Sequence, residues 1–105
     1  MSENLEFSEQ FRIIAKQWVE ADSAANMLEE TKSAVLSKMM LDLGDMPVSK
    51  AEMRVKASDE WKEHVISMVQ TRERASLLKV QLEYIRMKHY EWQSFNATRR
   101  AEMKL

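Results

Sequence analysis

The side chains in this chain that could perform chemistry are few. His64 and His89 are its histidines, and Glu60 precedes His64 by one helical turn. The Glu-x-x-His spacing with which di-iron helical bundles hold metal occurs at neither histidine. Both histidines fall at positions that apolar residues otherwise occupy in a helical pattern. We therefore interpret them as packed structural side chains rather than as metal ligands.

Other catalytic patterns are also missing from the sequence. The chain has no cysteine, which excludes disulfides, thiolate catalysis and thiolate metal sites. Its single glycine, Gly44, cannot form a glycine-rich loop that cradles a phosphate. Composition does not exclude a Ser-His-Asp group, but no G-x-S-x-G turn is present to expose a serine. We expect a protein that is not an enzyme and that has no metal and no cofactor.

The C-terminal segment from Arg72 onwards has the composition most suggestive of a binding surface. Basic residues alternate there with glutamates and with Tyr84, Tyr90, Trp92 and Phe95. Basic side chains neutralise phosphates and aromatic rings stack on unpaired bases, whereas a mixed Arg/Glu helix surface is also ordinary solvation. The candidate contacts with a protein partner or with nucleic acid are Arg86, Lys88, Arg99, Arg100 and Lys104.

Charge is distributed unevenly between the two halves of the chain, although the net charge is −1. Residues 1–47 hold nine acidic and four basic side chains, whereas residues 48–105 hold eight acidic and twelve basic ones. An acidic helix packed against a basic helix would account for this difference. Contact between the basic half and nucleic acid is the alternative.

Composition predicts that helices position these residues. Glycine and proline occur once each among 105 residues, which is too few turn-forming residues for a β-sandwich or barrel. Charged residues make up 31% of the chain, and strong helix formers such as Ala, Leu, Met, Glu and Lys are abundant in it. The predicted fold class is all-α.

Apolar residues spaced alternately by three and four predict two long helices, over residues of about 8–43 and 59–94. Ser8 is the expected N-cap of the first helix, and Gly44 is expected to end it. We call the two lines of apolar residues the seam. Its main predicted members are Phe11, Ile14, Trp18, Leu28, Trp61, Leu78, Leu82, Ile85 and Trp92.

A turn is predicted at residues 44–48, and residues 49–57 are either a short helix or the start of the second long one. Ser49 and Glu52 have the spacing of a capping box, and Ser58 is a second candidate cap. Residues 95–105 form either a tail or the end of the helix. Because the two long segments are equal in length, we expect an antiparallel helical hairpin with a coiled-coil-like seam.

Apolar residues also outnumber what one hairpin could cover. We therefore expect self-association into a helical bundle, most simply as a homodimer. No apolar run reaches the roughly 18 residues of a membrane span, and the acidic N-terminus differs from a signal peptide. These features indicate a cytoplasmic protein that does not enter a membrane.

Several segments of the second half resemble small, uncharacterised helical proteins encoded by phages and prophages. The resemblance is carried by residues 56–62 (KASDEWK), 82–87 (LEYIRM), 92–94 (WQS) and 96–103 (NATRRAEM). It implies a phage origin, the cytoplasm of a bacterial host, and a setting near genes of DNA recombination or replication. It implies no catalytic residue.

The expected function is that of a non-enzymatic adaptor that binds a protein partner in DNA metabolism. Direct nucleic-acid binding through the basic C-terminal segment is one alternative. Inhibition of a host nuclease or defence complex is another, although mimicry of DNA is disfavoured because DNA mimics are strongly acidic and this chain is nearly neutral.

Overall fold

The computed structural model describes residues 3–104, and side chains are described for residues 6–103. Its three helices are α1 (Glu3–Asp42), α2 (Val48–Lys56) and α3 (Asp59–Lys104), of 40, 9 and 46 residues. No β-strand occurs within residues 3–104. The described residues confirm the all-α prediction.

Gly44 ends α1 as the sequence predicts. Its φ of +90° lies in the region that glycine enters without a Cβ clash, and its N–H donates to the carbonyl of Leu41 at 3.1 Å. The N–H of Leu43 donates to the carbonyl of Met40 at 3.2 Å. The last carbonyls of the helix are thus partly satisfied by the reversing chain itself.

Helix α2 is separate from α3, which resolves the alternative left open by the sequence. The predicted capping box at Ser49 and Glu52 is wrong, because α2 begins at Val48 after Pro47 and has no side-chain cap. Pro47 has a φ of −56° and a ψ of 142°, so the residue before the helix is already fixed in extended geometry. The Glu52 carboxylate instead pairs with Lys56, one turn later, at 2.7 Å.

Ser58 caps α3. Its hydroxyl oxygen accepts a hydrogen bond from the N–H of Trp61 at 3.2 Å and donates to the carbonyl of Val55 at 2.6 Å. The Ser58 hydroxyl group therefore provides a hydrogen-bond partner for a carbonyl at the end of α2 and for an N–H at the start of α3. Ala57 lies in the connection and is exposed.

Helix α1 starts earlier than predicted, and α3 continues through the residues for which the sequence left a tail and a helix end both open. Helix α1 begins at Glu3 and passes through Ser8, because the residues before Ser8 include no helix breaker. Helix α3 continues through residues 95–104. Within that stretch the Asn96 amide donates to the carbonyl of Trp92 at 2.9 Å, so a residue that often ends helices is held inside one.

The described helices divide into two compact units. One unit is Ala21–Ala75, which contains the second half of α1, all of α2 and the first part of α3. Its buried residues are Ala21, Ala25, Ala51, Val55, Trp61 and Ala75. Four of these six residues are alanines, so this core is narrow and most of its apolar area comes from Trp61 and Val55.

The other unit combines Met1–Glu20 with Ser76–Leu105. Leu82 and Ile85 of α3 are buried in it, and the half-buried members of the seam are Phe11, Ile14, Trp18, Leu78 and Trp92. The Phe7 ring lies edge-on to His89, with 5.5 Å between ring centroids, and 6.3 Å from the ring centroid of Trp92. Aromatic side chains therefore supply much of the packing near this end of α1.

None of the three helices, as far as they are described, contains a stretch long and apolar enough to span a bilayer.

Matched leucine substitutions test how the burial is distributed. Leu82 is 8% exposed and Leu41 is 79% exposed, so Leu82→Ala removes buried area whereas Leu41→Ala removes little. We expect Leu82→Ala to lower the free energy of unfolding by about 2–5 kcal/mol, and Leu41→Ala to change it by less than about 0.5 kcal/mol. Denaturant unfolding followed by circular dichroism measures both, and equal losses would contradict the described core.

Candidate interaction surface

The basic candidate residues lie along one continuous helix, but they do not form one patch. Arg86, Lys88, Arg99 and Arg100 are all exposed on α3. At about 100° of rotation per residue, Arg86 and Arg100 lie within about 40° of each other on the helix. Lys88 and Arg99 lie within about 20° of each other on another side, about 130° away. The side chain of Lys104 lies outside the described residues.

The Arg86 side chain already contacts a residue of its own chain. Its guanidinium carbon lies 5.6 Å from the centroid of the Phe11 ring, which is the geometry of a cation–π contact. A shallow cavity of about 280 Å³ adjoins this contact, between the start of α1 and residues 85–90. Its lining is mainly aromatic and apolar, with Phe7, Phe11, Ile85, His89 and Tyr90 among the contributors.

The two histidines lie against aromatic rings. His64 has its ring centroid 5.6 Å from that of Trp61, and His89 stacks on Trp92 at 6.2 Å. The Nε2 of His64 and the Nδ1 of His89 are buried without a hydrogen-bond partner. Among the described residues, no group of three or more His, Asp or Glu side chains is arranged to hold a metal ion.

Comparison of the chain with protein-family models, with curated proteins and with solved structures found no match.

The most connected polar site in the described chain centres on Arg72 of α3. Its Nε donates to Glu29 at 2.7 Å, its Nη1 to Asp22 at 2.7 Å, and its Nη2 to the Asn26 side-chain oxygen at 2.7 Å. A further bond from Nη2 to Glu29 at 3.1 Å makes that pairing bidentate. We call these four residues the Arg72 cluster. The three α1 members are spaced by four and three, which places them on one side of α1.

Electrostatics within the Arg72 cluster favour the charged forms. The hydrogen bond from Arg72 lowers the pKa of Glu29, and partial desolvation opposes that shift. Hydrogen bonds to Glu29 and then to Asp22 raise the pKa of the Arg72 guanidinium further above its usual range. The side chains of Arg72 and Asp22 are about one-third exposed, so solvent screens the pairing and its main contribution is geometric.

The sequence did not predict this cluster, because Arg72 begins the basic C-terminal segment that we interpreted as a candidate binding surface. A signal was nevertheless present. Ala21, Ala25 and Leu28 belong to the predicted line of apolar residues on α1, and each is followed directly by a member of the cluster. Two of these three residues are small. Small residues let an arginine from the facing helix lie across them and reach polar groups beside them.

The Arg72 cluster should stabilise the fold in a pH-dependent way. We expect Arg72→Met to lower the midpoint of thermal unfolding at pH 7, and the exposed Arg74→Met to leave it nearly unchanged. Because the folded-state pKa of Glu29 is depressed, the stabilisation is complete above its ordinary value of 4.5 and is lost as pH falls through the folded value. Thermal melts of both variants from pH 7 to pH 2 measure this. A deficit for Arg72→Met that persists at pH 2 would contradict it.

Proposed function

We propose that this protein is a non-enzymatic, phage-encoded adaptor: a helical hairpin that self-associates and binds a protein partner of DNA metabolism in the cytoplasm of a bacterial host. The core of the protein requires only the narrow seam. The exposed side of the long helices is therefore available as the binding surface. Direct contact with nucleic acid is the alternative function.

Contacts between α1 and α3 support the hairpin. Phe7 lies beside His89, and Phe11, one turn further along α1, lies beside Arg86, which is earlier in α3. Partner numbers that fall along one helix as they rise along the other are typical of antiparallel packing. Half-buried and buried residues at the alternating three-and-four spacing support a coiled-coil-like contact.

Exposed apolar side chains are the observation that carries the adaptor proposal. A soluble protein that functions alone rarely exposes a large contiguous apolar patch. Helix α3 exposes Ile66, Val69, Leu77, Val80, Tyr84, Met87, Tyr90, Phe95 and Met103, which are enough apolar side chains for self-association and for a protein partner together. Apolar and aromatic residues on a regular helix are suited to a partner that offers a groove or another helix.

The arrangement of the basic residues favours a protein over a nucleic acid as the partner. Binding to a phosphate backbone relies on several cations that face the same strand. Arg86 and Arg100 face a different side of α3 from Lys88 and Arg99, and Arg86 already lies over Phe11. Dispersed arginines beside exposed aromatic side chains are instead typical of protein interfaces.

Charge reversal at the C-terminal end of α3 tests the adaptor proposal. We expect Arg99→Glu combined with Arg100→Glu to keep the helical signal, because both residues are exposed, and to weaken capture of the protein partner from infected or expressing cells. The capture is performed with and without nuclease treatment. The matched control reverses two exposed lysines of α1, Lys32→Glu with Lys38→Glu, and should capture normally.

DNA binding by the purified protein distinguishes the two partners. The adaptor proposal predicts weak binding that is lost at moderate salt, since phosphate contacts depend on counterion release. Submicromolar binding of DNA at physiological salt, abolished by the Arg99 and Arg100 reversal, would replace the adaptor with a nucleic-acid-binding protein. Capture that disappears on nuclease treatment would lead to the same conclusion.

A further inference from the structure

Helix α3 carries a second apolar line, separate from the seam. Leu77, Val80, Tyr84 and Met87 recur at spacings of three, four and three, and their exposures lie between 56% and 64%. We call these four residues the outer stripe. Val80, Tyr84 and Met87 each follow a seam residue (Leu78, Leu82 and Ile85) by two positions. Two positions are about 200° of rotation, so the outer stripe lies nearly opposite the seam.

Helix α1 has no equivalent line in the same unit. The positions two after Phe11, Ile14 and Trp18 are Ile13, Lys16 and Glu20, of which only Ile13 is apolar. All three are exposed. A helix that needs to bury only one face has polar residues opposite that face, as α1 does. The outer stripe on α3 therefore indicates a second packing partner for this helix.

We propose that the outer stripe is the surface on which a second copy of this chain binds, with the two α3 helices side by side and parallel. This inference rests on the self-association in the proposed function and assigns it to particular residues. In this arrangement, each of Leu77, Val80, Tyr84 and Met87 meets its own counterpart across a two-fold axis.

Charges beside the outer stripe favour the parallel orientation. In a parallel helix pair, a residue flanking the stripe on one side faces the residue five positions later in the other helix. Glu83 would then face Lys88 of the second copy, and the two-fold axis would repeat this ion pair. An antiparallel pair would instead place Glu83 against Glu83, and Arg74 against Lys88. Opposite charges meet in the first arrangement and like charges in the second.

The exposed area of the chain is large enough for such a contact. Its accessible surface is 8352 Å² at a mass of 12.4 kDa. A folded monomer of that mass ordinarily exposes about 6,100 Å². The difference exceeds the roughly 800 Å² that each partner buries in an interface of standard size.

The outer stripe is bounded at both ends. Glu73 precedes Leu77 by four positions and Glu91 follows Met87 by four, so acidic residues occupy the next places in the pattern. The apolar contact is thus limited to about three helical turns. We expect a dimer that forms in the micromolar range and exchanges, rather than an obligate one.

Two methionines provide a matched test of the surface. Met87 is 56% exposed on the outer stripe, whereas Met27 is 63% exposed on α1. Met87→Lys places like charges across the proposed contact, yet within its own helix the new lysine lies one turn from both Glu83 and Glu91. Its fold should therefore persist, which circular dichroism checks. Sedimentation equilibrium should show a dissociation constant raised about tenfold or more by Met87→Lys and unchanged by Met27→Lys.

Charge exchange tests the orientation. Glu83→Lys alone and Lys88→Glu alone should each weaken the dimer about threefold or more, and the double exchange should restore it. Strengthening by Lys88→Glu alone would overturn the parallel orientation. A wild-type chain that is monomeric at about 100 µM, where a dimer with a micromolar dissociation constant would be mostly formed, would overturn the inference altogether, as would equal effects of the two methionine variants.

These outcomes are separable from those of the proposed function. A monomeric wild type that still captures its protein partner would remove the outer-stripe dimer and the self-association, and would leave the binding of a protein partner. A dimer that responds to Met87→Lys as expected, in a protein that captures no partner, would support the outer-stripe dimer and remove the adaptor.

Discussion

Burial of one narrow line of side chains on each long helix is the constraint on which the rest of this structure depends. Of the eight buried residues in the described chain, four are alanines. Alanine lets helix backbones approach closely but removes little apolar area from water. The larger contributions come from Trp61, Leu82 and Ile85, and each of these residues matters more than it would in a wide core.

A seam of small residues limits how well apolar packing can specify register, since neighbouring alignments also bring small side chains together. Polar groups that need particular partners supply that information. The Arg72 cluster does so, because one guanidinium reaches Asp22, Asn26 and Glu29 only in a single alignment. His64 and His89 differ, since each leaves a buried nitrogen without a hydrogen-bond partner and therefore specifies no alignment through that atom.

Much of the fold could be predicted from the sequence because it depends on local chemistry. The positive φ of Gly44, the cap at Ser58 and the spacing of apolar residues are readable one turn at a time. Pro47 as the residue before α2 was missed, and the continuation of α3 past Asn96 was left open, because local preferences there are balanced. The partners of Arg72 could not be predicted, since the carboxylates lie more than 40 positions away along the chain. The spread of the basic residues over two sides of α3 became evident only once the helix was known to be unbroken.

We propose that α1 and α3 of the same chain pack antiparallel, in the register seen at Phe7 and His89. Since the chain has no cysteine, an engineered pair can report this directly. After mild oxidation, Phe7→Cys combined with His89→Cys should give a disulfide within one chain, and Phe7→Cys combined with Lys79→Cys should not. Mass spectrometry of the unreduced protein distinguishes the products. A disulfide that joins two chains, or equal yields from the two pairs, would contradict the account.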